Sequence, residues 1–239
     1  MDSISRSSET HNEQQRAYYA QKLHRNIAHE DSPYVNRHID EVLASAGVSP
    51  GARLLDAGCG AGRHSLLLAA RGFAVEGLDL SPDLLRNVPS IRTYCADLAH
   101  PPSELLAKYD AVLGFFILHH LLDVDAAFAG IASMVAPGGR AVFIEPNPFN
   151  PLYYVQIAIV PHMRWKAERG MLNMRRNVLF AAMRKAGLVN PSLRRFGFLP
   201  PFLRNRSWGG AVDRAVEAVR VLEPVLPFQI FVAEKPHAN

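Results

Sequence analysis

Cysteine is scarce in this chain: Cys59 and Cys95 are the two present among 239 residues. Two cysteines make neither a disulfide framework nor a zinc site. Both fall in segments that read as strand or turn, so both are expected to be small buried residues in a reducing cytosol. Long apolar runs are missing too. The longest, PLYYVQIAIVP at 151–161, falls short of the roughly twenty residues that a membrane-spanning helix needs. No apolar stretch follows the polar MDSISRSSETHNEQQR at the start, so no signal peptide is expected and the protein reads as cytoplasmic. That polar start reads as disordered, and no internal repeat is visible.

What is present is an ordinary globular composition, 49% hydrophobic and 20% charged, with length enough to bury a sheet between two helical layers. The net charge of +4 conceals an asymmetry. Residues 1–159 hold 12 Lys/Arg against 17 Asp/Glu, whereas residues 160–239 hold 14 against 5. Such a split suggests that the two parts face different partners.

A helical spacing of Val35, Ile39, Val42 and Leu43 predicts a helix from Pro33 to about Ala46, stopped by Gly47. ARLLDAG then reads as a strand, and CGAGRHSLLLAARG as a glycine turn that opens a helix. FAVEGLDL, IRTYCADL, DAVLGFFIL and RAVFIEPNP read as four further strands. Between them Ser81-Pro82-Asp83 is a helix start, PPSELLAKY holds a helical turn, and DVDAAFAGIASMVAPGG is a helix with a Pro-Gly-Gly stop. The alternation predicts an α/β fold, a doubly wound and mostly parallel sheet. Later come a helix over 173–188, a sixth strand in PSLRRFGF and a last one in PFQIFVAEKP, seven in all.

In LLDAGCGAG, Gly58, Gly60 and Gly62 follow a strand and open a helix, where the backbone must turn sharply and let a ligand come close. A glycine turn alone is weak evidence, because dinucleotide-binding folds use a related loop. Three carboxylates sharpen it. Asp56 precedes the turn, where it can order the loop and sit near a cationic ligand. Asp79 ends the next strand, placed to accept from ribose hydroxyls, and Asp97 ends the third, placed to accept from an adenine amino group. Three consecutive strand ends mark the carboxyl edge of the sheet, where open α/β folds bind ligands.

LLDAGCGAG, GLDLSP, CADL, YDAVLGFFILHHL and PGGRAVFIEP, in that order and spacing, resemble the class I S-adenosylmethionine-dependent methyltransferases, in particular small-molecule enzymes with a methyltransferase-11-type domain. The resemblance covers 33–148 and extends to the late strand. It implies a seven-stranded Rossmann-like methyltransferase fold with helical cap insertions. Its cofactor would be S-adenosyl-L-methionine, held by Asp56, Gly58, Cys59, Gly60, Gly62, Asp79, Leu80, Asp97, Leu98, Phe115 and Phe116. Gly58 and Gly60 would face the methionine part, Asp79 the ribose, and Leu80 and Leu98 the adenine. Phe115 and Phe116 would line the methionine side. An NAD enzyme is the physical rival, and Asp97 with the Phe115-Phe116 stretch weighs against it.

Candidate catalytic residues are His119, His120 and Glu145, with Asn147 beside them; a base helps when the acceptor is a hydroxyl or an acidic carbon. No metal is expected. The segmentation reads as a flexible start at 1–32 able to close over the cofactor (with Tyr18, Tyr19 and Tyr34), a cofactor core at 33–148, a substrate cap with a core helix and strand at 149–228, and a final strand and tail at 229–239.

The expected acceptor is a small or medium organic molecule, methylated on oxygen or carbon, either anionic or bound to an acidic carrier protein. Phe149, Tyr153, Tyr154, Trp165, Phe198 and Trp208 could wall it, and Arg164, Arg169, Arg175 and Arg176 could hold an anionic group. The alternatives are an RNA methyltransferase and a catalytically silent cofactor-binding partner subunit. Nucleic acid is disfavoured: no NPPY or DPPY follows the fourth strand, and neither cysteine is placed as a nucleophile.

Overall fold

The computed structural model describes residues 31–88, 90–159 and 169–238. Helix α1 (Pro33–Ala46) starts on Ser32, whose Oγ accepts the Val35 N–H at 3.3 Å, and stops at Gly47 in the left-handed region. There follow β1 (Arg53–Ala57), α2 (Arg63–Ala70), β2 (Ala74–Asp79), the single turn α3 (Pro82–Leu85), β3 (Arg92–Cys95), β4 (Tyr109–Phe115), α4 (Val124–Met134) and β5 (Val135–Pro146). The last part holds α5 (Pro151–Ile159), α6 (Arg176–Lys185), β6 (Val189–Phe196), α7 (Pro201–Arg204), α8 (Gly209–Glu217) and β7 (Phe228–Glu234).

The seven strands form one sheet in the order β3-β2-β1-β4-β5-β7-β6. β1 to β5 pair in parallel, and β7 runs antiparallel to both β5 and β6. The chain crosses from one half to the other between β3 and β4, so the β1 and β4 ends part around a crevice at the carboxyl edge.

Period-two alternation builds two cores. Leu55, Val112, Phe143 and Phe231 face Phe128 and Ile131 of α4 and Leu179 and Met183 of α6. Their neighbours Leu54, Leu113, Val142, Ile144 and Ile230 face Ile39 and Val42 of α1 and Leu68 of α2. Each fully buried side chain of this kind contributes about 1.5–3 kcal/mol of transfer energy.

The structure corrects three sequence expectations. Helix α4 ends at Met134 instead of running to Pro-Gly-Gly, because Val135 already pairs with Tyr109; the ladder shifts register before Ala111 meets Arg140. Cys95 is exposed, unlike buried Cys59, because it ends β3, the edge strand of the sheet. Ser81 makes no side-chain cap; its N–H instead donates to Asp79 Oδ1 at 2.8 Å. The predicted helix at 173–188 is observed as Arg176–Lys185, preceded by a 3-10 segment Arg169–Met174.

Beyond β5 two asparagines fix the exit of the chain. Buried Asn147 donates from Nδ2 to the Pro224 and Leu226 carbonyls at 2.9 and 2.8 Å. Asn150 donates to the Val225 carbonyl at 2.8 Å while its Oδ1 accepts the Leu152 N–H at the start of α5. Asn147 thus orders the turn between β5 and α5. Asn147→Ala is expected to lower unfolding free energy by about 1–3 kcal/mol, the usual penalty for stranding buried acceptors. Urea titration measures it, and a loss below about 0.5 kcal/mol contradicts the assignment.

Candidate active site

After β1 the backbone turns through Gly58, Gly60 and Gly62, all at positive φ, and Gly62 begins α2. Gly60 carries the functional requirement. Its φ is 54°, and a Cβ placed there meets nothing closer than Leu84 Cδ1 at 4.0 Å, so the missing side chain leaves open space for a ligand. The Gly60 N–H donates to Asp79 Oδ2 at 2.8 Å. With the Ser81 N–H on Oδ1, Asp79 ties the β1 turn to the β2 turn. Asp97 holds its own loop by accepting the Ala99 N–H at 2.9 Å.

These loops enclose a cavity of about 370 Å³ at the carboxyl edge. Of the predicted site residues, Gly58, Cys59, Gly60, Asp79, Leu80, Asp97, Leu98, Phe115, Phe116 and His120 line it. Gly62, Asp56, His119 and Glu145 do not. Gly62 packs on Val88. Asp56 is buried behind the turn and accepts the Ser65 hydroxyl at 2.5 Å. Glu145, expected beside the acceptor, is 0% exposed and turns inward. Its Oε1 accepts the Ile117 and Leu118 N–H groups at 2.9 and 2.7 Å, and Oε2 lies 2.6 Å from His119 Nδ1.

Sequence reading missed His64 in the cavity wall. Its ring stacks on Phe115 with centroids 4.0 Å apart and planes 5° from parallel. Burial pulls its pKa down to about 3, so the imidazole is neutral. Its position in the first turn of α2, directly beyond the glycines, was the available signal. Arg63, Ile117 and Leu121 also line the cavity.

The described cap residues lie elsewhere. Phe149, Phe198 and Trp208 are exposed, and the Tyr154 hydroxyl donates to the Pro148 carbonyl at 2.7 Å. Tyr153 sits beside Tyr154, their rings 6.2 Å apart. Tyr34 packs edge-on against His38 and Phe228. Arg175 and Arg176 are exposed. Tyr18, Tyr19, Arg164, Trp165 and the Arg169 side chain lie outside the described residues. Among the described residues, the cavity wall comes entirely from 58–121, no group of His, Cys, Asp and Glu is arranged to hold a metal, and no helix is long and apolar enough to cross a membrane.

A family model described as a methyltransferase domain matches residues 11–193. The chain belongs to this family, the class I S-adenosylmethionine-dependent methyltransferases. It is 30% identical over 129 residues to a ubiquinone biosynthesis O-methyltransferase of Aeromonas salmonicida, covering 51% of this chain and 54% of that one. Over 121 residues it is 31% identical to a demethylmenaquinone methyltransferase of Tropheryma whipplei, covering 45% and 48%. It thus spans about half the length of the curated relatives it matches. A phosphoethanolamine N-methyltransferase 2 of Haemonchus contortus, solved with S-adenosyl-L-methionine, shares the fold at a TM-score of 0.59 and 16% identity, covering 84% of this chain and 53% of that one.

Asp56 has a measurable consequence. Burial, with the Asp79 charge adding and the Ser65 hydrogen bond opposing, raises its pKa from 3.8 to about 7. The folded state therefore holds that proton more tightly than the unfolded chain. The stability this supplies is complete below about pH 4 and is lost as pH rises through about 7. Asp56→Asn keeps an acceptor for Ser65 and removes the titration. Its thermal midpoint relative to the original protein is expected to rise between about pH 4 and pH 7 and to level off above, and a gap constant with pH contradicts the shift.

Proposed function

We propose that the chain methylates a small or medium organic acceptor, on oxygen or carbon, in the cytoplasm. The observation that carries the donor side is the convergence of Asp79, Asp97 and the open Gly60 position on one cavity. Bound there, S-adenosylmethionine supplies a methyl group on a sulfonium sulfur. Asp79 retains acceptor capacity beyond that used by the Gly60, Ser81 and Leu80 N–H groups, so it could still accept from a ribose hydroxyl. Asp97 would accept from the adenine amino group, and Leu80 and Leu98 would pack on the adenine. Phe115, Phe116 and the neutral His64 ring make an apolar wall that excludes water from the methionine side, which favours alignment of acceptor and methyl carbon.

His120 is the titratable cavity group we would place as the base: it would take the proton that the acceptor oxygen or carbon loses as the methyl carbon's bond to sulfur breaks, leaving the neutral thioether, and its bond to the acceptor forms. His119 and Glu145 act from behind it. The acceptor is read as apolar in body and anionic or carrier-bound, because 149–228 combines exposed aromatics with exposed Arg175 and Arg176. The names of two relatives, one for ubiquinone biosynthesis and one for demethylmenaquinone, favour a small molecule over RNA.

Asp79→Ala is expected to weaken S-adenosylhomocysteine binding at least about tenfold in isothermal titration, the scale of one lost charge-assisted contact. Unchanged affinity would sink the donor assignment. In a methyl-transfer screen over phenolic, quinol and carrier-linked acids, His120→Ala is expected to lower kcat by about 10²–10⁴ at saturating cofactor. Wild-type turnover in that variant removes His120 as base, and a screen with cofactor bound but nothing methylated favours the silent-subunit reading.

A further inference from the structure

The 3-10 turn Leu118–His120 that follows β4 is held from two sides. On one side stands Glu145 at the end of β5. It accepts two backbone N–H groups of the turn on one oxygen and sits 2.6 Å from His119 Nδ1 on the other. With Glu145 Oε2 as the acceptor, His119 Nδ1 donates its N–H in this contact.

On the other side lies the segment Arg169–Met174. A Cβ on Gly170 would stand 1.9 Å from the His119 carbonyl oxygen and 2.7 Å from its carbon, so any side chain there displaces the turn. The segment itself is anchored. Met171 and Met174 are buried, and Gln229 Nε2 donates to the Met174 and Pro146 carbonyls at 2.7 and 3.1 Å. Between these two holds, His119 is 6% exposed while His120 reaches the cavity, their rings 3.9 Å apart.

We propose that Glu145 and Gly170 are positioning residues for the transfer reaction: they grip the His119–His120 turn from opposite sides, keep His119 inside on the carboxylate, and deliver His120 to the cavity wall. The proposal rests on the methyl-donor reading of that cavity. It also gives the last third of the chain a mechanical link to the site that its exposed aromatics lack, since Gly170 belongs to that third.

Histidine NMR tests this without the acceptor. The full chain, labelled with ¹⁵N-histidine, is compared with Glu145→Gln and Gly170→Ala, each free and titrated with S-adenosylhomocysteine. In the original protein His119 is expected in the Nδ1–H tautomer, and the His120 signal is expected to move on titration. Glu145→Gln, close in shape, should abolish the His119 tautomer bias and reduce the His120 response at least about threefold. Gly170→Ala should reduce the response as much while His119 stays on Glu145, and both variants should bind S-adenosylhomocysteine within about threefold of the original. A purely structural role predicts no such separation of tautomer, response and affinity.

A His120 response as large in both variants as in the original protein overturns the proposal, as does an Nε2–H tautomer of His119 in the original. If the original fails to bind S-adenosylhomocysteine, the donor reading falls instead. The free-state signals then decide: His120 shifts that differ between the original and both variants uphold the grip, and identical shifts overturn it.

Discussion

A single carboxylate organises the cavity. Asp79 takes the Gly60 N–H on one oxygen and the Ser81 N–H on the other, and so binds the loop after β1 to the loop after β2. Burial raises its pKa, while those backbone donors and a third from Leu80 favour the ionised form. The group that would meet a ribose is therefore also the group that shapes the walls around it. Its loss removes a ligand contact and a loop brace together.

The opposite wall depends on a second carboxylate. Glu145 has no exposure, yet all its contacts point to the loop after β4. Two strands that are neighbours in the sheet, β4 and β5, thus share one short turn, with β5 supplying the acceptors and β4 the donors. Burying a carboxylate is tolerable here because three N–H groups converge on it. The turn that brings His120 to the cavity is held by groups that do not line it.

That Gly58, Gly60, Asp79 and Asp97 meet at one cavity was legible in the sequence. The glycine turn, Asp79 and Asp97 stand at strand ends, and strand ends of a doubly wound sheet share one edge. Period-two and period-3.6 patterns were enough to place those ends. The different placements of the two histidines were not legible, because adjacent residues in a 3-10 turn point in different directions and the groups around them, Glu145 and Gly170, come from distant positions. His64 escaped notice for a different reason: a helix start shows which residue begins the turn, without showing that a phenyl ring will stack on it. Exposure of Cys95 followed from β3 being the edge strand, which is a property of the whole sheet.

The last third was the least legible part. Its exposed Phe149, Phe198 and Trp208 were read as a pocket wall from composition, yet none of them lines the cavity. Its firm contributions are α6 and β6 to the core, the Pro224, Val225 and Leu226 carbonyls that Asn147 and Asn150 bind, and the Gly170 contact.

The cavity at the carboxyl edge is proposed as a methyl-donor site. A crystal structure of the full chain with S-adenosylhomocysteine tests it most directly. Ribose hydroxyls are expected on Asp79, the adenine amino group on Asp97 between Leu80 and Leu98, and the sulfur between Phe115 and His120. A nucleoside seated elsewhere, or an empty cavity at saturating ligand, would contradict it.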